Sequence, residues 1–308
     1  MNIGELMNPL NDVIVSTFHV FPKGFVKRFA MRYIAGEHVD EAISLAGQLN
    51  SKNIMVTIDV LGENVATRGE AIASAKSYED VLHLIDRHKV NGNISIKLTQ
   101  LGLEIDKNFC FDNARRIVEV AKGYNNFVRI DMEDATTTTS TLEIYEKLRA
   151  SGFDNTGVVI QARLRRSESD VQRLVEMKAS VRLCKGIYIE PLNIAFRDRD
   201  EIRRNYIKLL HMLLEGKCRT GIATHDDVLV KAAYDAIAQL GLQKRDYEFQ
   251  MLLGVRPDMR NRIVANGDQL RVYVPFGEHW YTYSMRRFKE NPQVAGYVFK
   301  AIVFGNGK

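Results

Sequence analysis

The sequence predicts an α/β protein built as a (β/α)8 barrel, and three observations carry that reading. Short apolar runs alternate with stretches of helical spacing along most of the 308 residues, the pattern of successive parallel βαβ units. The runs are apolar throughout rather than alternating, as strands covered on both faces are. There are eight such units, the number that closes a barrel of this chain length. An open doubly wound sheet is the alternative, because the fourth to sixth runs are short.

The predicted strands are Ile54–Val60, Ile94–Leu98, Phe127–Asp131, Val158–Gln161, Val181–Cys184, Ile222–Thr224, Tyr247–Met251 and Leu270–Val274. Apolar residues recur at three and four positions over Tyr78–Lys89, Asp112–Gly123, Thr139–Ala150, Glu168–Lys178, Glu201–Glu215, Asp226–Gln239, Arg256–Ala265 and His279–Glu290, which are the predicted helices. Residues 1–36 precede the repeat. There Phe18, Phe21, Phe25 and Phe29 share a face, with Lys23, Lys27, Arg28 and Arg32 between them, which predicts an amphipathic helical segment. A helix capping the barrel is the preferred reading, with a membrane-surface helix as the alternative. The expectation is one catalytic domain over 1–308, with the barrel in 37–308.

Composition narrows the function. With 45% hydrophobic and 26% charged residues the chain is an ordinary globular protein. A net charge of +5 without a dense Lys/Arg block argues against nucleic acid. Cys110, Cys184 and Cys218 are odd in number and widely spaced, which fits a reducing compartment. The N-terminus shows no basic region followed by an apolar one, and no apolar run is long enough to span a bilayer. The expected location is cytoplasmic.

In a barrel of this kind chemistry sits at the carboxyl ends of the strands, and most strands here deliver polar groups to that rim. They are Ser95 and Lys97, then Arg129, Asp131, Glu133 and Asp134, then Gln161. Arg182, Lys185 and Gly186 follow, then Thr224, His225 and Asp226, then Glu248 and Gln250, and last Tyr273. Lys97 and Asp131 could pair with one another, and Asp226 resembles a helix cap. Arg182, Lys185, Thr224 and His225 suit a bulky phosphate-bearing cofactor, and Gly186 allows close backbone approach. Neither GxGxxG after a strand nor GxxxxGK[ST] occurs. Asp131, Glu133, Asp134 and His225 lack the spacing of a metal site, and no metal is expected.

The last segment, Tyr283-Ser-Met-Arg286-Arg287-Phe-Lys-Glu290, sets two arginines about 100° apart on a helix. They can hold a small carboxylate from two sides, and Glu290 shares their face.

In this order these motifs resemble the proline dehydrogenase family, in its monofunctional bacterial form, from about Ile54 to Pro292. The matching segments are Ser95-Ile-Lys97-Leu, Arg129-Ile-Asp131-Met-Glu, Gln161-Ala, Arg182-Leu-Cys-Lys185-Gly186-Ile-Tyr188, Ala-Thr224-His225-Asp, Glu-Phe-Gln250-Met-Leu252, Val-Tyr273-Val-Pro and the arginine segment. The resemblance implies a distorted barrel whose eighth helix lies over the strand ends. It implies noncovalent FAD at Gln161, Arg182, Lys185, Gly186, Tyr188, Thr224, His225 and Gln250. L-Proline would bind Lys97, Asp131, Tyr188, Leu252, Tyr273, Tyr283, Arg286, Arg287 and Glu290, and the catalytic set would be Lys97, Asp131, Arg182, Arg286 and Arg287. The implied reaction is oxidation of L-proline to Δ1-pyrroline-5-carboxylate, by hydride transfer from C5 to flavin N5. The implied acceptor is a membrane quinone, with peripheral contact at the inner face of the membrane. No general base is assigned. Arg163, Cys184 and Ile187 depart from the family's usual Tyr, Val and Ala. Tyr273 favours proline by crowding a C4 hydroxyl. A hydroxyproline dehydrogenase, a barrel aldolase using Lys97 as a Schiff base, and an inactive barrel serving as a binding module stay open.

Overall fold

The structure is a computed structural model that describes residues 27, 30–62, 64–281 and 283–285. Helix α1 (Val39–Asn50) leads into β1 (Met55–Val60), α2 (Arg68–Arg87), β2 (Gly92–Ile96), a 3-10 turn (Thr99–Leu101), α3 (Lys107–Gly123) and β3 (Val128–Ile130). Next come α4 (Thr138–Ala150), β4 (Thr156–Gln161), α5 (Ser167–Glu176), β5 (Ser180–Cys184) and α6 (Arg199–Glu215). The ring ends with β6 (Arg219–Ala223), α7 (Asp227–Gln239), β7 (Tyr247–Leu252), α8 (Pro257–Ala265) and β8 (Leu270–Phe276). All the strands are parallel and the sheet closes, with β8 pairing onto β1 from Met55↔Arg271 to Val60↔Phe276. Closure excludes the open doubly wound alternative.

The strands follow the sequence reading, with one reversal of length. The fourth to sixth have five or six residues, and β3 is the short one. Three helix starts differ from expectation for identifiable reasons. Helix α1 buries Ala42, Ile43, Ala46 and Leu49 on one face, a stripe half made of alanine and so weak as a signal. Helix α2 starts at Arg68 because Thr67 accepts from Glu70 N while the Glu70 carboxylate accepts from Thr67 N, a capping box. Helix α3 starts at Lys107 because Asp106 caps Asn108 and Phe109. Two helix predictions also straddle the rim. Asp226 caps α7 rather than opening it, and the helix after β8 is described only at residues 280, 281 and 283–285.

Of the N-terminal segment, the structure describes 27 and 30–36, and the phenylalanine stripe lies outside the described residues. Its described part docks on the end of β8. Ala35 N donates to Pro275 O at 2.8 Å, Gly277 N donates to Gly36 O at 3.0 Å, and Trp280 Nε1 donates to Glu37 at 2.7 Å.

Side chains alternate along each strand, and the two faces differ sharply. Val56, Ile58, Ile94, Ile96, Val158, Leu183, Phe249 and Val272 are buried against helix residues such as Tyr78, Leu82, Tyr145 and Leu213. The apolar core is therefore the layer between strands and helices. The barrel interior is polar instead. Arg271 donates to both Glu248 oxygens, at 2.7 and 3.1 Å, and to Asn93 Oδ1, which also accepts from Thr57. Arg129 donates to the Ser180 carbonyl at 2.7 Å and to Val158 O at 3.1 Å. Burial alone would raise the Glu248 carboxyl, but the Arg271 guanidinium holds it down, to about 2. Room for these long side chains comes from Gly157 and Gly221 on the same interior face. A Cβ on Gly157 would press on the Arg129 guanidinium and lie 2.6 Å from Ser180 O, and one on Gly221 would lie 2.5 Å from Gln250 Nε2.

Gly157→Ala should therefore destabilise the protein by about 1–3 kcal/mol, the usual cost of overpacking, in urea unfolding followed by circular dichroism. An unchanged midpoint would contradict the tight fit around Arg129.

Candidate active site

At the carboxyl ends of the strands lies a cavity of about 780 Å³, within the size range of small-molecule sites. All eight strands or the residues just after them contribute, from Asp59 of β1 to Tyr273 of β8. Tyr33 and Tyr283 reach it from the segments before α1 and after β8.

Its floor is one hydrogen-bonded cluster around Asp131. Arg182 Nη1 donates to Asp131 Oδ1 at 2.6 Å, Ser95 Oγ to the same oxygen at 2.7 Å, and Tyr273 Oη to Oδ2 at 2.7 Å. Arg182 also donates to Gln250, which donates in turn to Glu248. The guanidinium lies 5.3 Å from the Tyr273 ring centroid, a cation–π distance. Burial, reinforced by the Asp131 charge, drives the Tyr273 hydroxyl far above its usual range, so it stays a phenol and a donor.

Beside this cluster Lys97 Nζ donates to Asp59 Oδ1 at 2.6 Å, so its partner is Asp59 and not Asp131. Burial pushes the Asp59 carboxyl up, to about 6, even though Lys97 opposes it. Burial would lower Lys97, but the charges of Asp59 and Asp131 outweigh it and hold the ammonium well above its ordinary value. Asp59 Oδ2 is buried with no hydrogen-bond partner among the described residues.

The rest of the wall is the β4, β5 and β6 rim. Gly186 has φ of +90°, and a Cβ there would lie 2.6 Å from Gln161 Oε1, so the position needs glycine for both reasons. Lys185 pairs with Asp226 at 3.3 Å, and Arg203 holds the same carboxylate at 2.9 Å. Leu252 N donates to His225 Nε2 at 2.9 Å, which leaves that nitrogen without a proton. The carboxylates after β3 diverge, since Glu133 accepts from Thr99 and Asp134 from Thr136.

Every described residue of the predicted site lines this one cavity: Lys97, Asp131, Gln161, Arg182, Lys185, Gly186, Tyr188, Thr224, His225, Gln250, Leu252, Tyr273 and Tyr283. Arg286, Arg287 and Glu290 lie outside the described residues. The cavity also takes in residues that the sequence reading did not select, chiefly Asp59, Met132, Arg197 and Arg199. Asp59 was findable, because strand alternation puts it on the same interior face as Thr57.

Comparison with known proteins gives a consistent result. A family model described as "Proline dehydrogenase" matches residues 42–299. Proline dehydrogenase 1 of Bacillus subtilis subsp. natto is 35% identical over 93% of this chain and 95% of its own length. Proline dehydrogenase of Deinococcus radiodurans is 34% identical, covering 90% of each chain. Among solved structures, proline utilization A (PutA) from Bdellovibrio bacteriovorus, inactivated by N-propargylglycine, superposes with a TM-score of 0.81 at 26% identity. That match covers 92% of this chain and 34% of the other, so this chain spans about a third of that protein.

The Asp59 carboxyl predicts a pH dependence of stability. Its folded value of about 6 lies above the roughly 3.9 of an unfolded aspartate, so the folded state binds the proton more tightly. The resulting stabilisation is complete below about pH 4 and is lost as pH rises through 6. Asp59→Asn should flatten the fall in unfolding free energy between pH 4 and pH 7 by about 2–3 kcal/mol. Parallel pH profiles for the variant and the parent would refute the assignment.

Proposed function

We propose that this chain, which belongs to the proline dehydrogenase family, binds L-proline and FAD side by side in the cavity at the strand ends. The chain is an enzyme of proline oxidation and so of proline catabolism. One observation carries the finer reading. A single cavity joins an ionic floor at Asp131, Arg182 and Lys97 to a rim at Gln161, Lys185 and Gly186.

Residues of the rim support a flavin nucleotide there. The positive φ of Gly186 and the Gln161 side chain packed where its Cβ would lie set both residues on the cavity wall. Lys185, Arg197 and Arg199 supply cationic charge on the same wall, suited to phosphates. Gln161, Arg182, Lys185, Gly186, Tyr188, Thr224, His225 and Gln250 would hold the cofactor without a covalent bond. FAD, when bound, would accept the C5 hydride of proline at its N5 atom and so supply the redox chemistry.

This chain's own residues would position the substrate. Lys97, kept charged by Asp59, attracts the proline carboxylate. Arg286 and Arg287 would clamp it, with Glu290 orienting them. Tyr188, Leu252, Tyr273 and Tyr283 would bound the ring, holding it in near-attack geometry. Tyr273 is tied to Asp131 through its hydroxyl, so its ring cannot readily swing away to admit a C4 hydroxyl. Asp131 uses both oxygens for Ser95, Arg182 and Tyr273, a positioning arrangement rather than that of a base. Arg182 places a buried positive charge where it would stabilise a reduced, anionic cofactor. A Schiff-base aldolase would need Lys97 neutral, and its pairing with Asp59 opposes that.

The electron acceptor in this reading is a membrane quinone. Among the described residues no helix is long and apolar enough to cross a membrane.

Purified protein reconstituted with FAD should show a flavin absorption band that anaerobic L-proline bleaches and trans-4-hydroxy-L-proline does not. A protein that stays colourless after FAD is added would contradict the reading. Arg286→Met and Arg287→Met should each raise KM for proline about tenfold or more, the worth of a lost charge-assisted hydrogen bond, with the flavin still bound. Unchanged kinetics in both would remove the clamp.

A further inference from the structure

We propose that the amino-terminal mouth of the barrel, the end opposite the candidate active site, binds a small oxoanion such as inorganic phosphate. This site is separate from the one read as taking proline and FAD, since the two cavities share no lining residue.

A second cavity, of about 160 Å³, opens there among the first residues of the strands and the turns that lead into them. It is well above the roughly 10–15 Å³ that one water needs and below the roughly 300 Å³ at which pockets for larger organic ligands begin. That size suits an ion of a few atoms. The charged lining is one-sided, with Arg129 of β3, Arg219 of β6 and Arg271 of β8 set against a single carboxylate, Glu248 of β7. Arg271 and Glu248 cancel, being joined by hydrogen bonds of 2.7 and 3.1 Å, and Gln250 also donates to Glu248. Among the described residues neither Arg129 nor Arg219 forms an ion pair, so their charges are left over.

Arg129 matters most, because its charge is buried, at 4% exposure, and each of its hydrogen-bond acceptors is neutral. Nη1 donates to Ser180 O at 2.7 Å and to Val158 O at 3.1 Å, and Nη2 donates to Ser180 Oγ at 3.0 Å. The Phe127 ring, its centroid 4.9 Å from the guanidinium, adds a cation–π contact but no counter-charge. Nε is buried with no hydrogen-bond partner among the described residues. Burial, aided by the Arg182 charge, pulls the guanidinium down to about 9 against the pull of Glu248, so it stays charged at neutral pH. A buried cation without a counter-charge is costly, and an anion in the adjoining cavity would supply one.

The chemistry of the lining selects the ligand. Guanidinium forks match the oxygens of phosphate and sulfate. Arg219 opens β6 in register with Ser180 of β5, so it stands beside the residue that holds Arg129, and it is exposed to an ion arriving from solvent. Asn93 Oδ1 accepts from Thr57 at 2.6 Å and from Arg271 at 3.3 Å, which leaves its amide NH2 as a donor on the cavity wall. A metal cation would meet two uncancelled positive charges, and the one carboxylate present is committed to Arg271.

The test titrates full-length FAD-loaded enzyme with inorganic phosphate, by isothermal calorimetry and by thermal unfolding against sodium chloride of matched ionic strength. The parent should bind phosphate, and its melting temperature should rise to a plateau that chloride does not reproduce. Arg219→Gln should weaken phosphate binding about fivefold, between the worth of a surface ion pair and that of a buried charge-assisted bond, with proline turnover unchanged. Arg129→Met should abolish the binding. A response equal in parent and Arg219→Gln would overturn the proposal, because the phosphate would then act at another site or as a generally stabilising salt. Absence of phosphate binding by the parent would overturn it too. Should Arg129→Met not fold, the comparison of parent with Arg219→Gln decides alone.

Discussion

The ion pair between Arg182 and Asp131, 2.6 Å across the interior of the barrel, is the constraint on which the rest of the site depends. Barrels of this class normally fill their interior with layers of branched aliphatic side chains. Here Arg129, Arg182, Arg271, Asp59, Asp131 and Glu248 are all buried. Desolvating charges is expensive, and a buried pair often contributes no more than an apolar pair of the same size would. The pair is therefore best understood by what it positions. Through Asp131 it sets the Tyr273 hydroxyl, and through Gln250 and Glu248 it is continuous with Arg271, Asn93 and Thr57 at the other end of the barrel. A floor satisfied at nearly every atom cannot shift one member without stranding another.

Much of this was legible in the sequence. Period-two placement of Ser95 with Lys97, and of Arg129 with Asp131, put polar residues on one face of strands that otherwise looked apolar. Their order along the chain located the rim. Pairing across the barrel was not legible, because it depends on the stagger of strands distant in sequence. Lys97 accordingly meets Asp59, while Asp131 is taken by Arg182. Asp59 sits within the apolar run Ile54–Val60, where its alternation with Thr57 was the one signal that marked it. Cap chemistry was underused, since Thr67 with Glu70 and Asp106 mark helix starts that hydrophobic periodicity placed later.

The two levels of the site divide the work. The floor is rigid and ionic, and it suits a substrate that carries a carboxylate and a small ring. The rim carries Gly186 with Lys185, Arg197 and Arg199 on the same cavity wall, the part proposed to take the cofactor. In the proposed reading the substrate would lie on the floor and the cofactor along the rim, both within one cavity.

The central claim is that Arg182 and Asp131 act as a unit, and a double-mutant cycle in urea unfolding tests it most directly. Asp131→Asn and Arg182→Gln should each cost about 3–5 kcal/mol, because each leaves a buried charge without its partner. The double variant should cost less than their sum by about 2 kcal/mol or more, within the range for directly interacting residues. Single costs that simply add, to within about 0.5 kcal/mol, would contradict the account.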